Sequence, residues 1–301
     1  GVLLPLVLSF YRYHDAATNA IVLLSTASTS ARRAEWTAWG ARHDVVVGFV
    51  KPPHERVVIG RFFCYRAYLR RLLIERPNVK RVAMVDATDV LFQDSFMRRV
   101  PLHRVAYVAE PAHMLIGACH IHRGWIEGCK KYGKNVFDRV KNKPRICAGT
   151  VAGGTAAAET FLRRFTAEME RTDFCNDQGV LNVMVHTGGL GPLGDGDGDG
   201  DGGRRGRSGG GGGGGGSAGG GGELAMTIWR HEDGPILSLN TAKREHDEAR
   251  APGVPLLHFG HSNAWASRYL ATRGEELRRE WLAKTNVVAA AGGKTIVNSS
   301  S

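Results

Sequence analysis

Short apolar runs alternate along the chain with longer stretches in which apolar residues recur every three or four positions, the pattern of strands interleaved with helices. The runs Ala20–Ser25, Val45–Val50, Arg81–Asp86, Val105–Glu110, Pro235–Leu239 and Pro255–Phe259 predict strands. Between the second and third, Phe62, Tyr65, Leu69 and Leu72 repeat at helical spacing with arginines on the other face. This predicts a helix over Arg61–Glu75, ended by Pro77 and Asn78. Phe161, Leu162, Phe165 and Met169 share one face of a predicted helix over Thr155–Arg171, with Thr155 as its cap. A shorter helix carries Asp177 to His186 behind Asn176 or Asp173, and Glu275–Lys284 reads as a surface helix anchored by Leu277 and Trp281. Val2–Phe10 is apolar but interrupted by Pro5, and too short to span a bilayer, which takes ~20 residues. It predicts a strand or the tail of a removed signal-anchor. Strands alternating with helices predict an α/β fold, a mostly parallel central sheet flanked by helices.

Not all 301 residues are available to that sheet. Residues 188–222 hold more than half of the 40 glycines and no aromatic residue. Such a segment buries too little to offset the entropy of ordering it, and predicts a disordered Gly-rich insertion. The Asp-Gly alternation of Asp195–Gly202 lacks the Gly-Gly pair and apolar anchor of calcium-binding repeats and reads as solvated loop. The expected organisation is an N-terminal segment, 1–19, then one domain split into 20–187 and 223–286 by the insertion at 188–222, then a flexible tail, 287–301.

A hydrophobic fraction of 43% suffices for a core. The formal net charge of +11 fits an electropositive cleft for a polyphosphate, a nucleic-acid surface, or an arginine-rich surface with no special partner. Basic residues are spread along the chain rather than massed in one arm, and no RNP-type segment occurs. The five cysteines, Cys64, Cys119, Cys129, Cys147 and Cys175, form no C-x-x-C pair, which argues against a structural zinc site. Cys64 reads as core; the other four are close enough for two disulfides in an oxidising compartment, or stand as free thiols.

The segment Val82–Phe96 carries the most chemistry. An apolar strand runs directly into Asp86 and Asp89, then into a second apolar run with Phe92 and Phe96. Carboxylates at the carboxyl end of a parallel strand sit where open α/β sheets bind ligands. Two of them can hold a hard divalent cation and leave positions for phosphate oxygens. The same pair also fits a simple turn cap. Further along, glycines in Ile146–Thr155 permit a tight passage from strand through loop to helix. Asp177 begins a helix, where its charge suits the dipole or could act as a general base, and His258 closes an apolar run.

Taken in order, these segments resemble the GT-A type nucleotide-diphospho-sugar glycosyltransferases. The likeness is to a less characterised branch with the motif Asp-x-x-Asp-Val-x-Phe-Gln followed by Phe, matched by Asp86, Asp89, Val90, Phe92, Gln93 and Phe96. Trp125, Ile126 and Cys129 are similar to its Trp-Ile-x-x-Cys segment. Cys147 to Gly153 is similar to its Cys-Ser-Gly-(x)₃-Gly segment, with Ala148 in place of Ser. Asp177, Gln178 and Asn182 match an Asp-Gln-x-x-x-Asn helix start, and His258-Phe259-Gly260 resembles the late His-Phe-x-Gly of glycogenin-like enzymes, one residue short.

The resemblance implies a GT-A, Rossmann-like fold whose part 20–187 binds the nucleotide sugar. It implies Mn²⁺ or Mg²⁺ on Asp86, Asp89 and His258, with His261 in reserve, Asp86 serving the ribose or the metal. Arg61, and with it Arg66, would contact the donor diphosphate, Gly149 and Gly153 would lie against the donor sugar, and Asp177 and Gln178 would be catalytic. An inverting course would need a base, with Asp177 or Glu110 as candidates. The implied reaction moves a hexose or similar sugar from a nucleotide-diphosphate donor to a glycan, protein or small-molecule acceptor, without nucleic acid. A Golgi or secretory lumen, a lost N-terminal membrane anchor and a Cys147–Cys175 disulfide, with Cys119–Cys129 second, go with it. The alternative is a non-catalytic basic α/β protein binding nucleic acid or another polyanion, with affinity that falls steeply with salt and ignores Mn²⁺. A metal-dependent nucleotide hydrolase is a third reading, weakened by the absence of a Gly-x-x-x-x-Gly-Lys-Ser/Thr loop.

Overall fold

The computed structural model describes residues 3–87, 90–190, 224–230, 234–239, 254, 256–259, 269, 271–280 and 282–283. Asp89, His261, the tail from 287 and all but the first three residues of the glycine-rich stretch lie outside them; of His258 only the backbone is described.

The six strands expected from apolar runs are β1 (Ile21–Ser25), β2 (Val45–Phe49), β3 (Arg81–Val85), β5 (Val105–Ala109), β8 (Ile236–Leu239) and β9 (Leu256–Phe259). Three more join them: β4 (Val90–Phe92), β6 (Ile146–Gly154) and β7 (Met226–Trp229). The helices are α1 (Leu4–Tyr13), α2 (Ser30–Arg42), α3 (Val57–Glu75), α4 (His120–Glu127), α5 (Gly133–Val140), α6 (Thr155–Arg171) and α7 (Asp177–Thr187), with residues 271–280 also helical. None is long and apolar enough to cross a membrane among the described residues.

The expected mostly parallel sheet is corrected to a mixed one. Its central unit has the order β3-β6-β5-β7, with β6 antiparallel to both β3 and β5, and β7 parallel to β5. Ala109 at the end of β5 pairs with Ile146 at the start of β6, so the chain returns beside the point where it left, by way of α4 and α5. That connection reverses the strand, whereas a βαβ crossover would have kept its direction. A parallel pair β1-β2 and a three-stranded unit β4-β9-β8 complete the strands.

Ile146–Gly154, expected to pass from strand into a glycine-permitted loop, is one nine-residue strand buried along its whole length. Helices cover one face, where Tyr107, Ile146, Ala148 and Val151 meet Phe161, Phe165 and Val180. On the other, Val108, Cys147 and Ala152 meet Phe10 of α1, Phe92 of β4 and Phe96 just beyond it. Small side chains there keep both layers close.

Where a strand was one expectation for Val2–Phe10, Leu4–Phe10 instead forms most of α1. Pro5 occupies the first turn, where its missing N–H removes no helix bond, and Leu6, Val7 and Phe10 are buried. Packing also continues past Thr187. Gly188, at φ 77°, caps α7 in the left-handed region that suits glycine, and Leu190 is fully buried. At the start of α6, Thr155 does not cap the helix; its hydroxyl donates to the Val79 carbonyl instead.

The disulfide is Cys129–Cys175, with Cα atoms 5.6 Å apart, not Cys147–Cys175 or Cys119–Cys129. Cys147 faces the α1 side of β6, while Cys129 and Cys175 lie on the helix-covered side. Cys119 and Cys129 stand at opposite ends of α4, about 12 Å of helix apart and beyond bridging range.

Candidate active site

The cluster of interest forms at the carboxyl end of β3, where β6 is irregular. Tyr107 of β5 pairs with Val151, but its neighbour Val108 pairs with Cys147, so Ala148, Gly149 and Thr150 bulge out of the β5 ladder. A bulge re-aims backbone groups. The Gly149 carbonyl accepts from the Asp86 N–H at 2.9 Å, and the Ala148 carbonyl accepts from Arg61 Nη2 at 3.4 Å.

Arg61 is the hub. Its Nη1 pairs with Asp86 Oδ1, while Nε and Nη2 donate to Asp177 Oδ2 at 3.1 and 2.6 Å. Three segments, from α3, the end of β3 and the start of α7, are thereby fastened to one guanidinium. Burial works against the Arg61 charge, but Asp177 and Asp86 outweigh it and hold its pKa above the ordinary value. The Asp177 pKa is raised too, by burial, although Arg61 opposes the shift. Tyr65, one turn on from Arg61, is pushed up to about 12, chiefly by burial. Arg66 does not join; it donates to Thr166 Oγ1 on α6 at 2.9 Å, because five residues along a helix turn a side chain to another face.

Asn176 caps α7 by accepting from the Gln178 and Gly179 amides. Asn182, one turn on from Gln178, pairs its amide with both backbone groups of Ile146, donating to the carbonyl at 3.0 Å and accepting from the N–H at 2.8 Å. This ties α7 to the start of β6. Gly179 lets α4 approach, since a Cβ there would stand 3.1 Å from that of Trp125. The approach brings His122 to Gln178, whose Nε2 lies 3.0 Å from His122 Nε2 and 3.4 Å from Glu110 Oε1. Arg145 Nη1 pairs with Glu110 Oε2 at 3.3 Å. Burial, helped by Arg145, lowers the His122 pKa to about 4, so the ring is neutral near pH 7.

Of the residues expected from sequence, Arg61, Asp86, Gly149, Asp177 and Gln178 come together. Gly153 does not. It pairs with Val82 and Val105 near the other end of β6, about 13 Å along the strand from Gly149. A Cβ on Gly153 would lie 2.5 Å from the Arg104 carbonyl, so sheet packing is what that glycine serves. The His258 backbone stands opposite Val90 in the antiparallel β4–β9 ladder, beside the acidic motif. Among the described residues no group of three His, Cys, Asp or Glu is placed to hold a metal ion.

His122 and Arg145 were not foreseen. The indirect signal was the Trp125-Ile126-x-x-Cys129 segment: the Trp125 ring lies tilted against that of His122 with centroids 4.9 Å apart, and Cys129 bridges to Cys175, two residues before Asp177.

No protein-family model and no curated protein matches the chain. Among solved structures it is similar to the WbbM bifunctional glycosyltransferase, with 13% identity and a TM-score of 0.45 over 87% of this chain and 44% of that one. It is also similar to a glycosyltransferase involved in glycosylation of the major capsid of PBCV-1, with 10% identity and a TM-score of 0.40 over 87% of this chain and all of that one. The chain thus spans less than half the length of the first and the full length of the second. Both scores are low, so what this chain does has to be read from its own residues.

Proposed function

We propose that the chain is a glycosyltransferase that moves a sugar from a nucleotide-diphosphate donor to an acceptor hydroxyl, with Mn²⁺ or Mg²⁺ on Asp86, Asp89 and His258. The observation that carries this reading is the meeting of Arg61, Asp86, Gly149, Asp177 and Gln178, scattered over more than a hundred residues, in one polar cluster at the end of β3. Carboxylates with an imidazole suit such a cation, and the backbone register that sets His258 opposite Val90, the residue after Asp89, fits that donor set. When bound, the metal would offset the charge growing on the departing diphosphate.

Arg61 fixes Asp86 and Asp177 in place, a positioning role rather than direct contact with the diphosphate. Asp177 has Arg61 on one oxygen and the Gln178 N–H on the other, at 2.8 Å, so it serves as the anchor of Arg61 and not as the base. Glu110 is equally committed, to Arg145 and Gln178, at 3% exposure. Gln178, half-buried beside them, would serve the substrate as a hydrogen-bonding group.

The test is a panel of sugar nucleotides screened for Mn²⁺-dependent thermal stabilisation and for transfer. Asp89→Ala should abolish both effects while melting as the wild type does, and His258→Ala should weaken them less. An Asp89→Ala protein with undiminished Mn²⁺-dependent activity would sink the mechanism. Salt-sensitive, metal-independent binding of nucleic acid in place of sugar nucleotides would replace the reading altogether.

A further inference from the structure

We infer that His122, as the neutral tautomer with Nε2 unprotonated, is a positioning residue that acts with Glu110 to lock the Gln178 amide, leaving its carbonyl oxygen to accept a hydrogen bond from a sugar hydroxyl. The inference rests on the glycosyltransferase reading for the identity of the ligand, and on the side-chain geometry for the lock.

The Gln178 nitrogen lies 3.4 Å from Glu110 Oε1 and 3.0 Å from His122 Nε2. Glu110 carries Arg145 on its other oxygen, an ion pair that keeps the carboxylate an acceptor. Reversing the amide would set its carbonyl oxygen against that carboxylate, two acceptors facing each other without a proton. The nitrogen therefore points at Glu110, its second N–H falls to His122, and Nε2 must be the acceptor, which puts the ring proton on Nδ1. His122 Nδ1 is buried without a hydrogen-bond partner among the described residues, in a side chain only 5% exposed. A buried polar atom left unpaired in this way calls for a reason, and holding Nε2 toward Gln178 supplies one. The ring cannot turn freely, because Trp125 lies against it and α4 is packed onto Gly179.

With both N–H groups of the amide taken, its carbonyl oxygen has no protein partner among the described residues, in a half-buried side chain that directly follows Asp177 in the chain. An oriented, unoccupied acceptor beside the site selects ligands that present a hydroxyl donor, and a site built around such a bond discriminates against ligands that lack it.

Two measurements test this. Long-range ¹H–¹⁵N correlation on histidine-labelled protein near pH 7 should show His122 as the Nδ1–H tautomer; an Nε2–H tautomer or an imidazolium overturns the lock, whatever the enzyme's activity. Second, kcat/KM is measured with the sugar nucleotide that the panel identifies and with its singly deoxygenated analogues. Wild type should lose about tenfold with one analogue, as expected for one hydrogen bond. His122→Phe, which keeps a ring against Trp125, should be about tenfold slower with the full sugar and indifferent to that deoxygenation. Full sensitivity to every deoxygenation in His122→Phe overturns the proposal. Should that variant fail to fold, Gln178→Met enters the same cycle with the same expected indifference, and retained sensitivity overturns the proposal equally. If wild type accepts no sugar nucleotide, the glycosyltransferase reading falls, and the tautomer alone decides the lock.

Discussion

Arg61 directs Nε and Nη2 at the same oxygen of Asp177, at 3.1 and 2.6 Å, while Nη1 reaches Asp86. The Asp177 side chain is only 4% exposed, so the pair is a buried one and its members depend on each other. Removing one partner of a buried pair costs about 3–5 kcal/mol, because the other charge is left without compensation. Arg61→Ala should therefore lower the unfolding free energy by about that much in urea titration. Arg61→Lys keeps the charge but not the fork; it should recover part of the stability and little of the sugar-nucleotide binding. An Arg61→Ala midpoint equal to wild type would show that the three segments are not held through this guanidinium.

The Cys129–Cys175 bridge closes a loop with a sequence separation of 46 and ends two residues short of Asp177. Chain entropy alone gives such a crosslink about 4 kcal/mol. Non-reducing peptide mapping of oxidised protein should recover this pair, with Cys64, Cys119 and Cys147 as thiols. Cys175→Ser should lower the melting temperature, and because α7 is freed near its start, it should weaken substrate binding as well. Recovery of a Cys147–Cys175 peptide would contradict the placement of Cys147 on the other face of β6.

Much of this was legible in the chain, and the failures share a cause. Six apolar runs became strands because each is a short, continuous apolar signal in the sequence itself, and α6 keeps its predicted limits because Phe161, Phe165 and Met169 mark one face. Asp86 and Asp177 could be singled out because an acid at the edge of an apolar run or at a helix start stands out by itself. The direction of β6 could not be read, because it is set by where the chain re-enters the sheet beside β5. Nor could its length: Ala148, Gly149, Ala152 and Gly153 look like a loop, yet small residues are what a strand needs when packed layers cover both faces. His122 was invisible, since its importance comes from a helix-to-helix contact at Gly179 and not from its own neighbours. The disulfide was misread for a related reason: sequence distance is blind to which face of a strand a thiol occupies.

Gly153 and Gly154 separate sheet packing from substrate contact. A Cβ on Gly154 would fall 1.6 Å from the Leu102 carbonyl oxygen, and one on Gly153 would fall 2.5 Å from that of Arg104. Neither backbone can yield without opening the ladder. Gly154→Ala should be the more damaging, in line with the large losses that follow overpacking of a core. Gly153→Ala should lower stability while the folded fraction keeps its KM for the sugar nucleotide. A selective rise in KM for Gly153→Ala, at unchanged melting temperature, would return that residue to the donor site.

His122 makes stability depend on pH in a definite direction. Its folded pKa is lowered from the ordinary 6.5 to about 4, first by burial and then by Arg145. Above 6.5 neither the folded nor the unfolded chain carries this proton, and the residue adds no slope. Between 6.5 and about 4 the unfolded chain binds the proton and the folded one does not, so stability falls as pH falls. Below about 4 both states are protonated and the contribution is fully lost. The gap corresponds to about 3 kcal/mol. His14 and His186, also lowered chiefly by burial, tilt the curve in the same sense and are common to wild type and variant. The decisive comparison is therefore urea unfolding of wild type and His122→Phe at several pH values across that window. The wild-type curve should descend more steeply, and the two should run parallel above pH 6.5. Curves that stay parallel down to pH 4 would mean that His122 takes up its proton in the folded protein as readily as in the unfolded chain, and so is not held neutral beside Gln178.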